Sequence, residues 1–379
     1  MIAKTLSTFS LKETTFKLTD ALKDGFKPTL AFVFLSIEQD RKAVSALLSK
    51  NNIQIFGVTT NGEFIDETIE KGSISILLTD IHPDYFEIHF EAFTDKNYKE
   101  VAVGVARKAK SKFQNPAFLT GLSHPATDGE EILRGIEGIV GKDVNAFGCA
   151  AGDDFSFTDT YVFTNTIESK EAMLALILDE NKIEIQGVAS CGWKAVGTEK
   201  TVTKSEGNHV YTINNECAVD ITARYGGIQN VTPDNKDLLL EIAANFPLQL
   251  QREKGDPVMR PPLIVDWSDR SYYTSGTVPE GSKVKFSIPP DFDVMEKVIK
   301  DLENLKSTKM PEADALIVFS CAGRLMALGP LMTEEVEGVK KVYNVPMVGM
   351  FSNAELARAT GGNLEMHNLT TCMVALKEK

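Results

Sequence analysis

Gly57-Val-Thr-Thr-Asn61-Gly-Glu63 stands beside Gly349-Met-Phe-Ser-Asn353-Ala-Glu355, with Asn four residues and Glu six residues after each glycine. Each stretch ends a strand-like run, and each is preceded by a similar apolar run: AFVFLS (31–36) in the first case, ALIVFS (315–320) in the second. A middle copy, Gly148-Cys-Ala-Ala-Gly152-Asp153-Asp154, carries Gly at the fourth position and an acid at the sixth. Asn and Gly both tolerate left-handed backbone, so a tight turn is expected at that fourth position. A further apolar strand follows each turn: GSISILL, EAMLALIL and TTCMVAL. Internal similarity of this kind discloses architecture better than propensity does, and it predicts three related strand-helix-strand-turn-strand units.

The rest of the chain fits around these units. DRKAVSALLSK (40–50) and EEILRGIEGIV (130–140) have helical periodicity, as does the stretch 97–113, and each sits between strand-length apolar runs. GSISILLTD and YFEIHFEAF read as neighbouring strands. Between the second and third units lies a long insert with a hairpin-like stretch TVTKSEGNHVYTINN, a helical pattern KDLLLEIAANF (236–246) and a helix DFDVMEKVIKDLENL. The turn-rich segment TARYGGIQNVTPDN sets a boundary near 221–231. The expected fold class is α/β, with mixed sheets layered by helices in two lobes, residues 1–220 and 221–379.

Composition narrows the function. Among 379 residues, 40 Lys and Arg oppose 53 Asp and Glu, a net charge of −13 with no long basic run, so nucleic acid and anionic membranes are poor partners. The polar start MIAKTLSTFSLKET and the lack of an apolar run of ~18–20 residues argue against a signal peptide and against membrane insertion, which places the chain in the cytoplasm. The five cysteines have no C-x-x-C spacing and the five histidines no H-x-x-x-H, so free thiols, no metal and no cofactor are expected. GTVPEGSK (276–283) inverts the end of a phosphate-loop motif and places Pro279 inside it. GLSHP (121–125) lacks the second Gly of a nucleophile elbow.

Five stretches together resemble successive motifs of the FIST family: FGVTTNGEF (56–64), FGCAAGDDF (147–155), GVASCGWKAVGTEKTVTKSEGNHVYTINNECAVD (187–220), FSCAGR (319–324), and VPMVGMFSNAELA leading to HNLTTCMVAL (345–376). The resemblance lies in their order and spacing over nearly the whole chain, a FIST N-like region to about residue 220 and a FIST C-like region after it. Three positions depart from the family pattern: Asn61 stands before Gly-Glu, Ala354 replaces Gly before Glu355, and Leu369 replaces Gln after His367-Asn368. The resemblance implies a sensory role in signal transduction, with an amino acid or related metabolite as ligand. No kinase, cyclase or chemotaxis output segment is expected in the sequence, so the signal is expected to pass through a partner protein.

The same residues allow a chemical reading. Glu63, Asp154 and Glu355 follow strand ends, where α/β proteins gather binding groups; such an acid holds an ammonium group or, equally, caps a helix. Arg324 suits a carboxylate bidentately or an internal ion pair. Asn61, Cys149, Asp153, Trp193, Cys321, Asn353 and His367 complete the candidate ligand-binding set. The expectation is one cleft lined by Glu63, Asp154, Arg324 and Glu355, with Arg324 opposite an acid. The competing reading is a hydrolase or transferase using Cys321 with Arg324, or Asp154 and Glu355 as acid and base.

Overall fold

The computed structural model describes the whole chain apart from residues 125–126, 236–237 and 239–240 and the side chain of residue 241. The expected helix over 236–246 lies partly outside the described residues; its later part, Glu241–Asn245, is a π-helical turn.

One plan is used three times. The first unit runs through an edge strand Ala3–Thr8, helix Leu11–Ala21, strand Leu30–Leu35, helix Arg41–Lys50, strand Gln54–Thr59, a small hairpin (Glu63–Ile65 and Thr68–Glu70) and strand Ile74–Thr79. The second repeats it with Phe86–Ala92, Tyr98–Lys112, Pro116–Leu122, Gly129–Val140, Ala146–Ala150, the hairpin Val162–Phe163 and Glu168–Ser169, and Ala172–Asp179. The third begins at strand Ile183–Ser190 and resumes after a long insertion with helix Phe292–Thr308 and strand Ala315–Cys321. Helices Ala322–Leu328 and Met332–Tyr343, strand Met347–Ser352, the hairpin Ala354–Arg358 and Leu364–His367, and strand Thr371–Glu378 complete it. Leu30–Leu35 and Ala315–Cys321 are buried at every position, which explains why they read as unbroken apolar runs rather than alternating ones.

In each unit the two central strands are parallel, and the last strand lies antiparallel to the first of them. The small hairpin does not join its own sheet. That of the first unit pairs with Met347–Ser352 of the third, that of the third with Ala146–Ala150 of the second, and that of the second with Gln54–Thr59 of the first. Three six-stranded mixed sheets result, each completed by another unit's arm in a closed cycle. GSISILLTD and YFEIHFEAF are both strands, but they lie in different sheets, because the second opens the next unit.

The inner faces of the three sheets meet in one core that includes Phe32, Phe56, Leu119, Leu176, Ile317 and Val374. Helices cover each outer face over separate cores. The insertion, entered after Ser190 and left before Phe292, forms a fourth sheet of eight strands with its own core. Its hairpin, Ala195–Glu206 with His209–Ile213, is the one legible in TVTKSEGNHVYTINN. Residues 220 and 221 both lie in helix Ala218–Gly226 of this insertion. The N- and C-terminal regions therefore share sheets across that position.

Pairing register makes the equivalences explicit. Gly57 opposes Phe163, Gly349 opposes Phe64 and Gly148 opposes Leu356, so the three glycines occupy one position of the plan. At Gly57 and Gly349 an added Cβ would overlap the ring of Phe163 or Phe64, so the incoming arm takes the side-chain space. The acid at the sixth position carries over only from the first unit to the third. In the second unit the arm begins later, and the residue in register with Glu63 and Glu355 is Val162; Asp154 belongs to the longer loop between.

Candidate functional site

The carboxyl ends of the three parallel strand pairs converge at one end of the molecule, where α/β folds place their binding groups. A ring of backbone hydrogen bonds closes there. Asn61 N donates to Phe351 O (2.9 Å), Asn353 N to Ala150 O (3.0 Å) and Gly152 N to Thr59 O (2.8 Å). Each donor is the fourth residue after its glycine, and each acceptor the second after another unit's glycine. None of the three donors has positive φ, so the expected left-handed turn is not the reason for Asn and Gly here. Side chains give the reason. Asn61 Nδ2 donates to Asn353 Oδ1 (2.8 Å), Asn61 Oδ1 accepts from the amides of Asp153 and Phe155 (both 3.1 Å), and Asn353 Nδ2 donates to Ala151 O (2.7 Å). Gly152 lacks a side chain because Asn61 fills its place.

Beneath this ring lie two equivalent nests for a carboxyl group. Glu63, wholly buried, accepts from the Thr60 hydroxyl on one oxygen and from Ser73 N (3.1 Å) and Ser73 Oγ (2.8 Å) on the other. Burial pushes its pKa up to about 7, against the pull of those hydroxyls, and the charge of Asp154 adds to the rise. Glu355, also wholly buried, accepts from the hydroxyl of Ser352 (2.7 Å), the counterpart of Thr60. The counterpart of Ser73 is Thr370, whose hydroxyl turns to Asn368 O (2.7 Å). Among the described residues, Oε2 of Glu355 has no partner at hydrogen-bond geometry, with the Thr370 amide and the Cys321 thiol lying near the carboxyl. Burial raises its pKa well above the carboxylate range, against Ser352, the Thr370 amide and the Arg324 charge. In the second unit the register positions of Thr60, Glu63 and Ser73 are Ala151, Val162 and Ala172, so this nest is apolar.

Three thiols surround Glu355. Cys149 is its cross-strand partner, and Cys321 occupies the position that Ser36 holds beside Glu63. Burial lifts Cys321 to about 12 and raises Cys149 and Cys372 well above the thiol range, with the Glu355 charge acting the same way. A nucleophilic thiol needs the opposite shift.

Arg324 does not face Glu355 across a cleft. It is wholly buried and bidentate to Glu335, with Nε 2.9 Å from Oε1 and Nη2 on Oε2. Its remaining donors reach Cys191 O (2.6 Å), Leu369 O (3.1 Å) and Val294 O (3.1 Å), so all five N–H groups are spent inside the protein. The guanidinium also lies 5.2 Å from the centre of the Trp193 ring, whose Nε1 donates to Ala244 O (3.2 Å). Arg324 and Trp193 thus clamp the insertion to the third unit. His367, the other cross-strand partner of Glu355, has Nε2 at 3.1 Å from Ala357 O; burial lowers its pKa to about 4, which keeps it neutral.

Asp154 accepts from Ser36 Oγ (2.6 Å) and Ile37 N (3.2 Å), and Asp153 accepts from Thr158 N (2.6 Å). Both shape the loop 151–161, in which Asp154, Phe155 and Phe157 have positive φ and Phe157 is 89% exposed. The structure therefore brings Asn61, Asn353, Asp153 and Asp154 together, and Glu355 together with Cys149, Cys321 and His367. Sequence reasoning missed Glu335, Thr60, Ser352, Ser73 and Thr370. The hydroxyl three residues before each Glu was a usable signal, since Thr60 and Ser352 stand in the same column of the repeat.

Among the described residues, no helix is long and apolar enough to cross a membrane. The FIST N domain family matches residues 29–216, and the FIST C domain family matches residues 218–358. No curated protein sequence matches the chain.

Proposed function

As the chain belongs to the FIST family, whose domains are associated with signal transduction and small-ligand sensing, we propose that it is a sensory protein that binds a small amino compound, an amino acid or related metabolite, and signals through a partner protein. The observation that carries this reading is the unpartnered oxygen of Glu355 beneath the Asn61–Asn353 ring. A buried acceptor without a partner costs roughly 1–3 kcal/mol, and a ligand N–H recovers that loss. An ammonium group would also draw the carboxyl into its charged form, since an opposite charge at contact distance offsets burial. In this reading Asn61, Asn353 and Asp153 form the hydrogen-bonded ring next to the ligand. Arg324, Trp193 and His367 hold the walls, through the carbonyls of Cys191 and Leu369 and the strand Ala354–Arg358. Glu355 is wholly buried, so entry requires the surrounding structure to open.

A thermal-shift screen of the full chain against amino acids, amines and small carboxylates tests this. An amino compound should raise the melting temperature, and Glu355→Gln, which keeps the shape and removes the charge, should abolish the response while the variant stays folded. No response to any amino compound, or an equal response in Glu355→Gln, would overturn the assignment.

A further inference from the structure

The inserted sheet carries a second cluster of chemical groups outside the Glu355 nest. His209, on strand His209–Ile213, Asp266, at the end of strand Pro262–Asp266, and Asp269, in the turn before strand Ser271–Thr274, present ligand atoms that all lie within 4.8 Å of one another. Asp266 and Asp269 share the turn of one hairpin, and the pairing of His209–Ile213 with Ser271–Thr274 brings His209, about sixty residues earlier in the chain, to that turn. From this geometry we propose that His209, Asp266 and Asp269 bind a first-row divalent cation of the zinc type.

The imidazole is built in rather than loose on the surface. His209 is more than nine-tenths buried, and its ring is held between Tyr211 and Tyr273, both centroids 3.9 Å away. Its Nε2 lies 2.6 Å from Ser271 Oγ, a contact of the kind that fixes ring orientation at metal sites. Each carboxylate has one oxygen committed to the turn. Asp266 Oδ1 accepts from Ser268 N (2.9 Å) and Ser268 Oγ (2.6 Å), and Asp269 Oδ1 accepts from Ser271 N (3.1 Å). The second oxygen of each has no hydrogen bond or ion pair among the described residues. The cations nearby are engaged elsewhere: Arg270 forks onto Asp220, and Lys204 sits over the Tyr211 ring, 4.6 Å from its centroid. Two aspartate carboxylates offer the hard oxygen donors of a divalent ion, and the imidazole adds a nitrogen donor. Bonds of ~2.0–2.2 Å set donors ~3–4 Å apart, and rotation of the exposed Asp269 side chain closes the set to that spacing. One nitrogen with two oxygens favours zinc-like ions over magnesium or calcium, which take oxygen alone. Water completes the sphere.

The test is zinc titration of the full chain after chelator treatment, by calorimetry, with cobalt as a spectroscopic stand-in. One zinc per chain should bind and raise the melting temperature, and millimolar magnesium should do neither. Cobalt should give d–d bands without a thiolate charge-transfer band. Asp269→Asn, at an exposed position, should stay folded and lose at least tenfold in affinity; Asp266→Asn should do the same, which keeps the test decisive if His209→Gln fails to fold. Absence of zinc binding, affinity unchanged in Asp269→Asn, or a cobalt–thiolate band would overturn the proposal.

Discussion

The side-chain amide of Asn61 donates to Asn353 Oδ1 at 2.8 Å, joining the first unit of the chain to the third at the point where all three units meet. Asn61 is 2% exposed and Asn353 lies at the surface, so this contact forms the roof over the carboxyl nests. Replacing Asn61 with Ala leaves Asn353 Oδ1 and the amides of Asp153 and Phe155 without their partner. A loss of about 2–4 kcal/mol is expected from the unmet donors, read as a lowered midpoint in denaturant. Asn61→Asp, which keeps the acceptor, should restore part of it; equal losses in both variants would count against the hydrogen bonds as the cause.

Gly349→Ala should destabilise by about 1–3 kcal/mol or more, because the new methyl meets the Phe64 ring within a packed sheet. Phe64→Leu in the same chain should recover part of the loss, because the smaller side chain leaves room for the new methyl, and the second unit pairs Leu356 with its own glycine, Gly148. Chemical denaturation of the two single variants and the double variant measures the coupling; strictly additive losses would show that the ring and the glycine do not compete for one space.

Arg324→Ala should cost about 3–5 kcal/mol of stability, because it abandons the buried charge of Glu335 along with three carbonyls. Arg324→Lys should recover little of this, because a single ammonium cannot reach all four acceptors. A native melting temperature in Arg324→Ala would contradict the structural role.

Stability should fall as pH rises through Glu63. Its pKa is about 7 in the folded protein against an ordinary 4.5, so the folded state binds the extra proton between those values. The stabilising contribution is complete below pH 4.5 and lost as pH climbs through 7, with an upper bound on the order of 3 kcal/mol. Burial pushes Glu355 in the same direction. Glu63→Gln should therefore gain on the wild type between pH 5 and pH 8. A constant difference in denaturation midpoint across that range would sink the assignment.

Thiol labelling of the native protein should reach Cys217 and Cys191 before Cys149, Cys321 and Cys372, the first two being half-buried and the other three buried. Unfolding without reductant should release all five. Fast native modification of Cys321 would show that its enclosure opens readily.

Local repetition was legible, and it gave the three strand-helix-strand units, because the two parallel strands of each unit and the helices between them are contiguous in the sequence. The exchange of arms was not. Nothing local in Glu63-Phe64-Ile65 says that its partner is Val348-Gly349-Met350 rather than its own sheet, and the missing side chain at Gly349 is explained only when the Phe64 ring arrives. Backbone preference does not account for the Asn at the repeated position, whose function is an amide reaching another unit. Arg324 drew attention as a lone guanidinium at a strand end. Its partner, Glu335, sits on the outer-layer helix Met332–Tyr343, eleven residues away, where helical text gave no hint of a buried acid.

The cyclic exchange of arms bears on how the chain is made. Phe64 leaves the ribosome long before Gly349, its partner across the sheet. At ~5–20 residues per second the 349 − 64 = 285 intervening residues take roughly 15–60 s, far longer than a hairpin or helix needs to form. Throughout that interval the first unit holds an unmatched arm with an aromatic ring exposed, and for the early part of it its own sheet waits for Val162 and Phe163. Newborn chains side by side on one message carry the same unmatched arm and, once long enough, the same waiting strand. Exchange between chains instead of within one would use the same contacts, so the internally closed fold and a domain-swapped polymer differ in which molecule supplies the arm, and dilution or a holding chaperone during synthesis should decide between them.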